Sequence, residues 1–187
     1  MSRINYIDNS PRKATYADDV EVTANSISLP STLIERSELD MVVEGNTITN
    51  LLSDNVAGCE DNTNFSGTNA TLTDDNSNEY ESTNCMKITL TDVSGTADYD
   101  VLSLLDTSKY YLLSGYLKNG NATNISLELE TDDEDVESSA VTATSWTRVG
   151  IVIQPTNIDG ATTGVIRFNL TGTATKYAFA DALMLQE

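Results

Sequence analysis

Short runs in which apolar and polar residues alternate recur along most of the chain. Side chains two positions apart point to the same face of a β-strand, so each run predicts a strand with one buried face. Clusters of Gly, Asn and Asp separate the runs, which is typical of sandwiches and barrels. The clearest predicted strands cover residues 86–91, 99–105, 110–118, 124–130, 146–154, 165–170 and 177–185. With about nine strands in all, the pattern predicts an all-β sandwich of two packed antiparallel sheets.

The run at 124–130 shows the alternation most clearly. Its apolar positions are Ile125, Leu127 and Leu129, and its polar positions are Asn124, Ser126, Glu128 and Glu130. We therefore expect one face of this strand in the core and the other in solvent. Asn119 and Gly120 precede it, and both residue types adopt positive φ with little strain. A tight hairpin is thus predicted between the strands at 110–118 and 124–130.

Residues 1–49 differ from the rest because they contain few large apolar side chains. Short strand candidates lie at 20–22 and 27–29, and a hairpin is predicted from 38–43 and 47–49 around a Gly45-Asn46 turn. A segment so poor in apolar residues does not bury a core by itself. We expect residues 1–49 to form an extended N-terminal arm with short strands, ordered against the main domain or a partner, and residues 50–187 to form the sandwich.

The chain of 187 residues is strongly acidic, with 29 Asp and Glu against 10 Lys and Arg and a formal net charge of -19. Binding to nucleic-acid backbones and anionic membranes rests on clustered cations, so no nucleic-acid partner is expected. No apolar run reaches the roughly 18 residues of a membrane helix. The first residues lack an apolar signal region. We therefore expect no membrane insertion and folding in a cytoplasm.

The chain contains no histidine, which removes the commonest general base and a common metal ligand. A Ser-His-Asp or Cys-His site is excluded, and so is zinc of the usual Cys/His type. The protein is therefore expected not to be an enzyme. Its two cysteines, Cys59 and Cys85, are either buried free thiols in a reducing compartment or one bridge between neighbouring strands.

A carboxylate falls among apolar positions in the last predicted strand. Asp181 has the same parity as Tyr177, Phe179, Leu183 and Leu185. A carboxylate on a buried face needs hydrogen bonds, an ion pair or a cation. Lys and Arg are scarce, so the alternatives are backbone N–H donors or a hard cation such as Ca²⁺.

Several aromatic residues could form a stacking surface for sugar rings: Tyr99, Tyr110, Tyr116 and Trp146. The alternative is that these rings pack at the edge of the core, as most strand tyrosines do. The acidic run from Asp132 to Asp135 is interpreted as a solvated loop. A glycoside hydrolase would need two positioned carboxylates, and nothing marks any pair among the many acids.

Residues 50–187 resemble the carbohydrate-binding-module-like jelly rolls of the type grouped as families 4, 9 and 22. The matching segments, in order, are Asn50-Leu51-Leu52, Gly58-Cys59-Glu60, Phe65 where a Trp is common, Cys85 to Ile88, Tyr110 to Lys118, Ser145 to Arg148, and Phe179 to Leu185. The resemblance implies a jelly-roll sandwich and glycan binding. It also implies a structural Ca²⁺ held by Glu60, by Asp181 and by backbone carbonyls around Lys87. Ala182 stands where a second Asp is common in the family.

The segment from Glu38 to Leu52 resembles the lead-in to such modules in tailed-phage structural proteins. This likeness implies a virion protein of the capsid surface, tail or fibre, assembled in the host cytoplasm. Its arm would dock onto other virion proteins, it would form a closed homo-oligomer, and its jelly roll would face host surface glycan. The alternative is a dedicated carbohydrate-binding module of a larger glycan-acting assembly.

Overall fold

The computed structural model describes residues 42–43, 46–47, 49–81 and 83–187. Contacts between Cα atoms divide the chain into two units, Met1–Thr47 and Ile48–Glu187. In the first unit, β1 (Val42–Val43) pairs antiparallel with β2 (Asn46–Thr47). The expected hairpin is therefore present, with Asn46 in its second strand instead of its turn. The strand candidates at 20–22 and 27–29, and the rest of the predicted docking arm, lie outside the described residues.

The second unit is a sandwich of two five-stranded antiparallel sheets, which confirms the predicted all-β fold class. Its strands are β3 (Ser66–Thr68), β4 (Ala70–Asp75), β5 (Cys85–Leu90), β6 (Ser94–Asp100), β7 (Tyr111–Asn119), β8 (Asn124–Thr131), β9 (Val136–Glu137), β10 (Thr147–Ile153), β11 (Gly164–Thr171) and β12 (Tyr177–Gln186). Sheet A has the order β10-β7-β12-β5-β4, and sheet B has the order β3-β6-β11-β8-β9. The alternation had not revealed β3, β4 or β9, which are short or largely exposed. The strand predicted at 99–105 begins five residues too late, because β6 ends at Asp100 and a 3₁₀ turn follows at Leu102–Leu104.

Helical structure in the described residues is confined to single turns. These are α1 (Asp54–Ala57) and 3₁₀ turns at Asn62–Asn64, Leu102–Leu104 and Pro155–Asn157. No helix in the described part of the chain is long and apolar enough to cross a bilayer.

The inner faces of the two sheets form one apolar core. Ile125, Leu127 and Leu129 of β8 are all 0% exposed, which confirms the inward parity predicted for this strand. Ile166, Phe168 and Leu170 of the neighbouring strand β11 are at most 1% exposed. The side chains at the alternate positions of these strands are mostly polar and point away from the core. The alternation along each strand therefore separates the core from a hydrophilic outer face.

The hairpin predicted at Asn119 and Gly120 is wrong. Strand β7 belongs to sheet A and β8 to sheet B, so this segment carries the chain from one sheet to the other. Gly120 is required for space, because a Cβ atom there would lie 2.8 Å from the carbonyl oxygen of Tyr177 and would also overlap its ring. The Asn119 side chain donates hydrogen bonds to the carbonyls of Ala122 and Thr142, which fixes the crossover.

A β-bulge in β12 overturns the predicted direction of Asp181. The register with β7 shifts between Asp181 and Met184, and Ala182 has a φ of 49°. Before the bulge the even positions Ala178 and Ala180 face the core, whereas after it Leu183 and Leu185 do. Asp181 therefore shares the outer face of sheet A with Phe179 and not the inner face with the leucines. An extra residue in one strand reverses parity, which simple alternation does not anticipate.

We expect the change Gly120→Ala to destabilise the sandwich by about 1–3 kcal/mol, because the added methyl group must displace the ring or backbone of Tyr177. Urea unfolding followed by circular dichroism measures the difference. Gly164→Ala is the matched control, since its Cβ would lie at an ordinary 3.4 Å from Leu102. Equal stability of the two variants would contradict the crowding at the crossover.

Candidate functional site

The outer face of sheet B carries polar side chains in rows that run across the strands. One row contains, from β3 to β9, Ser66, Asp98, Arg167, Glu128 and Glu137. The next row contains Thr68, Thr96, Asn169 and Ser126, and a third contains Ser94, Thr171 and Asn124. Directly opposed side chains on neighbouring strands lie within contact distance. The register therefore gathers hydroxyl, amide and carboxyl groups from five strands onto one surface.

A groove of about 370 Å³ crosses the second and third rows. Its lining consists of Thr68, Asn69, Ser94, Gly95, Thr96, Asn124, Ser126, Glu137, Ala140, Asn169, Leu170 and Thr171. Gly95 is needed here, because a Cβ atom would lie 2.5 Å from the carbonyl oxygen of Asn69 in the turn between β3 and β4. The groove is thus lined mainly by short polar side chains on strands, and its described residues include no aromatic ring.

Arg167 at the centre of the first row is held by carboxylates on both sides. Its Nε and Nη2 atoms donate to Asp98 at 2.8 Å and 3.0 Å, and Nη1 donates to Glu130 at 2.9 Å. These bonds raise the pKa of the guanidinium further above its usual value, with the hydrogen bond that it donates to Asp98 as the largest cause. A guanidinium in this fork geometry is directed and rigid. Arg167 therefore positions the face and has little freedom to reach a ligand.

Glu128 is the register neighbour of Arg167 but bonds to a neutral amide. It is 6% exposed, and its Oε1 atom accepts from Asn169 Nδ2 at 2.5 Å. The same Asn169 nitrogen donates to Glu137 Oε1 at 3.2 Å, so the two carboxyl groups share one amide donor. Burial first, and then the neighbouring carboxyl group of Glu137, raises the pKa of Glu128 to about 7. The sequence had placed Glu128 on a solvated face, whereas the segment around β9 buries it.

A second cluster, of aromatic rings, lies on the outer face of sheet A. Tyr80 stacks on Tyr116 with ring centroids 3.8 Å apart, and its ring centroid is 5.9 Å from that of Trp146. Trp146 in turn packs against the buried ring of Phe179. Tyr80 remains 39% exposed. This aromatic cluster lies on the sheet opposite the groove.

Asp181 holds the loop that brings Tyr80 to this cluster. Its Oδ2 atom accepts from the backbone N–H of Tyr80 at 2.7 Å and of Glu81 at 3.4 Å, and its Oδ1 atom accepts from that of Ala182 at 2.6 Å. Asp181 is only 1% exposed. Of the two alternatives that the sequence left open, backbone N–H donors are the partners present in the structure.

The structure separates the four aromatic residues predicted to bind glycan. Tyr116 and Trp146 lie together in the aromatic cluster of sheet A. Tyr99, in sheet B, packs against Phe65 and the core, and Tyr110 precedes β7 and is 61% exposed. They do not form a single platform. Whether any of them contacts a glycan stays a prediction.

Two of the three residues predicted to hold calcium, Glu60 and Asp181, both accept hydrogen bonds from the loop between β4 and β5. Glu60 also lines an open depression with Asp54 and Asp61. Lys87 places its ammonium 4.4 Å from the centre of the Tyr177 ring. Within the described residues no three Cys, Asp or Glu side chains lie close enough together to hold a metal ion. Whether Glu60, Asp181 and backbone carbonyls around Lys87 hold a Ca²⁺ stays a prediction.

The two cysteines are buried free thiols, which is one of the two expected states. Burial raises the pKa of Cys85 to about 12 and that of Cys59 well above its usual value, and Asp181 adds to both shifts. Neither is in a setting that favours the reactive thiolate.

No protein-family model matches the chain, and no curated protein sequence matches it. Solved structures do resemble it in fold. The CBM22-1 xylan-binding domain of Paenibacillus barcinonensis Xyn10C has a TM-score of 0.58 and 12% identity, over 74% of this chain and 94% of that one. TmCBM61, solved with β-1,4-galactotriose, has a TM-score of 0.54 and 16% identity, over 74% and 99%.

A phage protein is also similar in fold. The enzymatically active domain of bacteriophage CBA120 tailspike protein 4 has a TM-score of 0.56 and 14% identity, over 73% of this chain. The chain spans 21% of that tailspike chain. At these identities the matches show a shared jelly-roll fold.

We expect Glu128→Gln to stabilise the protein at pH values above neutral and to have little effect in acid. An ordinary Glu has a pKa near 4.5, whereas folded Glu128 keeps its proton to about pH 7. The folded state therefore binds more protons in that window, so stability falls as the pH rises through it. The Gln side chain of the variant is neutral at every pH, so the variant does not lose this stability as the pH rises.

Thermal unfolding of the wild type and Glu128→Gln across this pH range measures the effect, and we expect a gain of a few degrees that is confined to the upper end. Glu79→Gln is the control, because Glu79 is exposed on the loop over sheet A. A difference between wild type and Glu128→Gln that does not change with pH would show that Glu128 titrates as an ordinary surface carboxyl.

Proposed function

We propose that the sandwich is a non-enzymatic carbohydrate-binding module and that the groove on sheet B is its binding site. The observation that carries this proposal is that hydroxyl, amide and carboxyl side chains line the groove. The register of the strands fixes their positions. Sugars present many hydroxyl groups that both donate and accept hydrogen bonds, and rigid strands hold the complementary groups in place. The fold shared with a xylan-binding domain and a galactotriose-binding module supports the same conclusion.

The arrangement of the acids favours binding over hydrolysis. Glycosidases keep their two carboxyl groups about 5 Å apart when they retain configuration and about 6.5–9.5 Å apart when they invert it. Glu128 and Glu137 instead accept from the same amide nitrogen of Asn169, and Glu128 is buried, so this pair does not stand on either side of an open cleft. The absence of histidine from the sequence also removes the commonest general base.

The aromatic cluster on sheet A is a second candidate surface for the same function. Tyr80 is partly exposed and rests on Tyr116, so its free face could stack against a sugar ring. We favour the groove over the aromatic cluster as the saccharide-binding surface, because the groove is concave and many polar groups line it. The two surfaces lie on opposite sheets, so single substitutions distinguish them.

We further propose that this module is a structural component of a tailed-phage particle, on its capsid surface, tail or fibre, where it meets host glycan. The shared fold with a tailspike domain supports this setting. The arm of residues 1–49 would dock onto other virion proteins, and the chain would form a closed homo-oligomer. The alternative is a module of a larger glycan-acting assembly.

Filling the groove is expected to abolish saccharide binding. Ser94 is exposed and lines the groove, so Ser94→Tyr places a ring in it without disturbing the core. Isothermal titration with xylo- and galacto-oligosaccharides is expected to show at least a tenfold loss of affinity, or about 1.4 kcal/mol. Tyr80→Ala on the opposite sheet should bind like the wild type. The reverse result, with Tyr80→Ala inactive and Ser94→Tyr normal, would assign binding to the aromatic cluster.

The virion setting is tested by labelling particles with an antibody raised against residues 50–187. Gold particles should mark one defined part of each tailed particle, and mass spectrometry should find the chain in density-purified particles. A chain present in infected cells but absent from purified particles would contradict the virion setting and favour the alternative assembly.

A further inference from the structure

The register of sheet B places Glu128 between a cation and a second acid. Glu128 is opposite Arg167 of β11 on one side and opposite Glu137 of β9 on the other. Arg167 would be its natural partner, but the guanidinium donates to Asp98 and Glu130. The buried Glu128 is left with the amide of Asn169, which it shares with Glu137. This arrangement satisfies two carboxyl groups with one neutral donor.

Glu128 and Glu137 face each other and accept from one amide nitrogen, and Glu128 is buried, so ionising both carboxyl groups is costly and the pair is expected to share one proton. The charged groups that face this pair are Asp98, Glu130, Asp135 and Arg167, so acids outnumber cations around it. Loss of the shared proton therefore adds negative charge to a face that is already negative, and it leaves carboxylate oxygens in need of donors. Asn169 alone cannot supply them, because its single amide already donates to both groups.

Glu137 lines the groove, whereas Glu128 lies buried beside it. A ligand in the groove therefore reaches the pair through Glu137. The missing donors are what a saccharide supplies, since each of its hydroxyl groups can donate one hydrogen bond to a carboxylate. A saccharide that itself carries a carboxylate or sulfate would bring more negative charge to this face of a chain with net charge -19.

We propose that the Glu128–Glu137 pair selects an uncharged saccharide and couples its binding to the release of a proton. Hydroxyl groups of the saccharide donate to Glu137 in place of the shared proton, which passes to solvent, while Asn169 stays on Glu128. Binding therefore strengthens as the pH rises and the proton becomes easier to remove. This inference rests on the proposed function of the groove, and it names the class of sugar and the residues that recognise it.

Isothermal titration at about pH 6 and about pH 8, in buffers of different ionisation enthalpy, measures both affinity and proton release. With xylo- or galacto-oligosaccharides as probes, we expect about tenfold tighter binding at the higher pH and release of close to one proton at the lower. Oligogalacturonates, as acidic probes of similar size, should bind at least tenfold more weakly than the neutral oligosaccharides.

Glu128→Gln supplies the decisive comparison, because its amide can donate to Glu137 without a titrating proton. We expect this variant to bind with the same affinity at both pH values and to release no proton, whereas Glu79→Gln should retain the full pH dependence. The carboxyl ¹³C resonances of the wild type give a second measurement that needs no variant. The shared titration of the pair should move to lower pH when the saccharide is added.

The outcomes separate the two claims. Failure of every saccharide to bind at either pH would overturn both the proposed function and this inference. Binding that Ser94→Tyr abolishes but that is independent of pH and releases no proton would overturn the inference and leave the function standing. Equal affinity for oligogalacturonates would overturn the selection of uncharged sugars.

Discussion

Strand β11 occupies the centre of sheet B, and its two registers determine what both sides of that sheet can do. On the inner side Ile166, Phe168 and Leu170 are locked into the core. A slip by one residue would turn these side chains to solvent, so burial fixes the register strongly. The same register sets Arg167 opposite Asp98 and Glu128, and Asn169 opposite Thr96 and Ser126. The hydrophobic core thus specifies the arrangement of the polar face.

Ion pairs and hydrogen bonds between side chains stabilise the polar outer face of sheet B, and they determine which groups remain available to a ligand. Arg167 is fully engaged by two acids, so the only cation in the first row is neutralised within the protein. The polar groups along the groove are hydroxyls, amides and the carboxyl group of Glu137, which Asn169 joins to the buried Glu128. A surface of this kind offers hydrogen bonds in fixed positions but no net attraction for anions. It is suited to a ligand that is rich in hydroxyl groups.

Much of the fold could be predicted from alternation alone. The inward positions of β8 follow directly from a period of two, and so does the outward direction of Asn169 in β11. Which strands pair does not follow, because the same Asn119-Gly120 dipeptide fits a hairpin and a crossover between sheets. The contact between Asn169, Glu128 and Glu137 depends on that pairing. It joins residues up to 41 positions apart, so no local pattern could reveal it.

Asp181 shows the other limit of sequence patterns. In a regular strand Asp181 would face the same way as Leu183 and Leu185. The extra residue of the bulge at Ala182 turns these leucines to the core and leaves the carboxylate on the opposite face. The residue is nevertheless buried, as the sequence suggested, because the loop of Tyr80 folds over it and donates backbone N–H groups. The burial of a polar group could thus be anticipated from its apolar neighbours. Its partners depended on a loop distant in sequence.

The location of the ligand surface is tested most directly by a ¹H–¹⁵N correlation spectrum recorded while a neutral oligosaccharide is added. Binding in the groove should shift the backbone amide resonances of Thr96, Ser126 and Thr171 and the side-chain amide resonance of Asn169. Resonances of residues on the outer face of sheet A, such as Lys87 and Tyr116, should stay unchanged. Shifts confined to sheet A, with the sheet B resonances unmoved, would contradict binding in the groove.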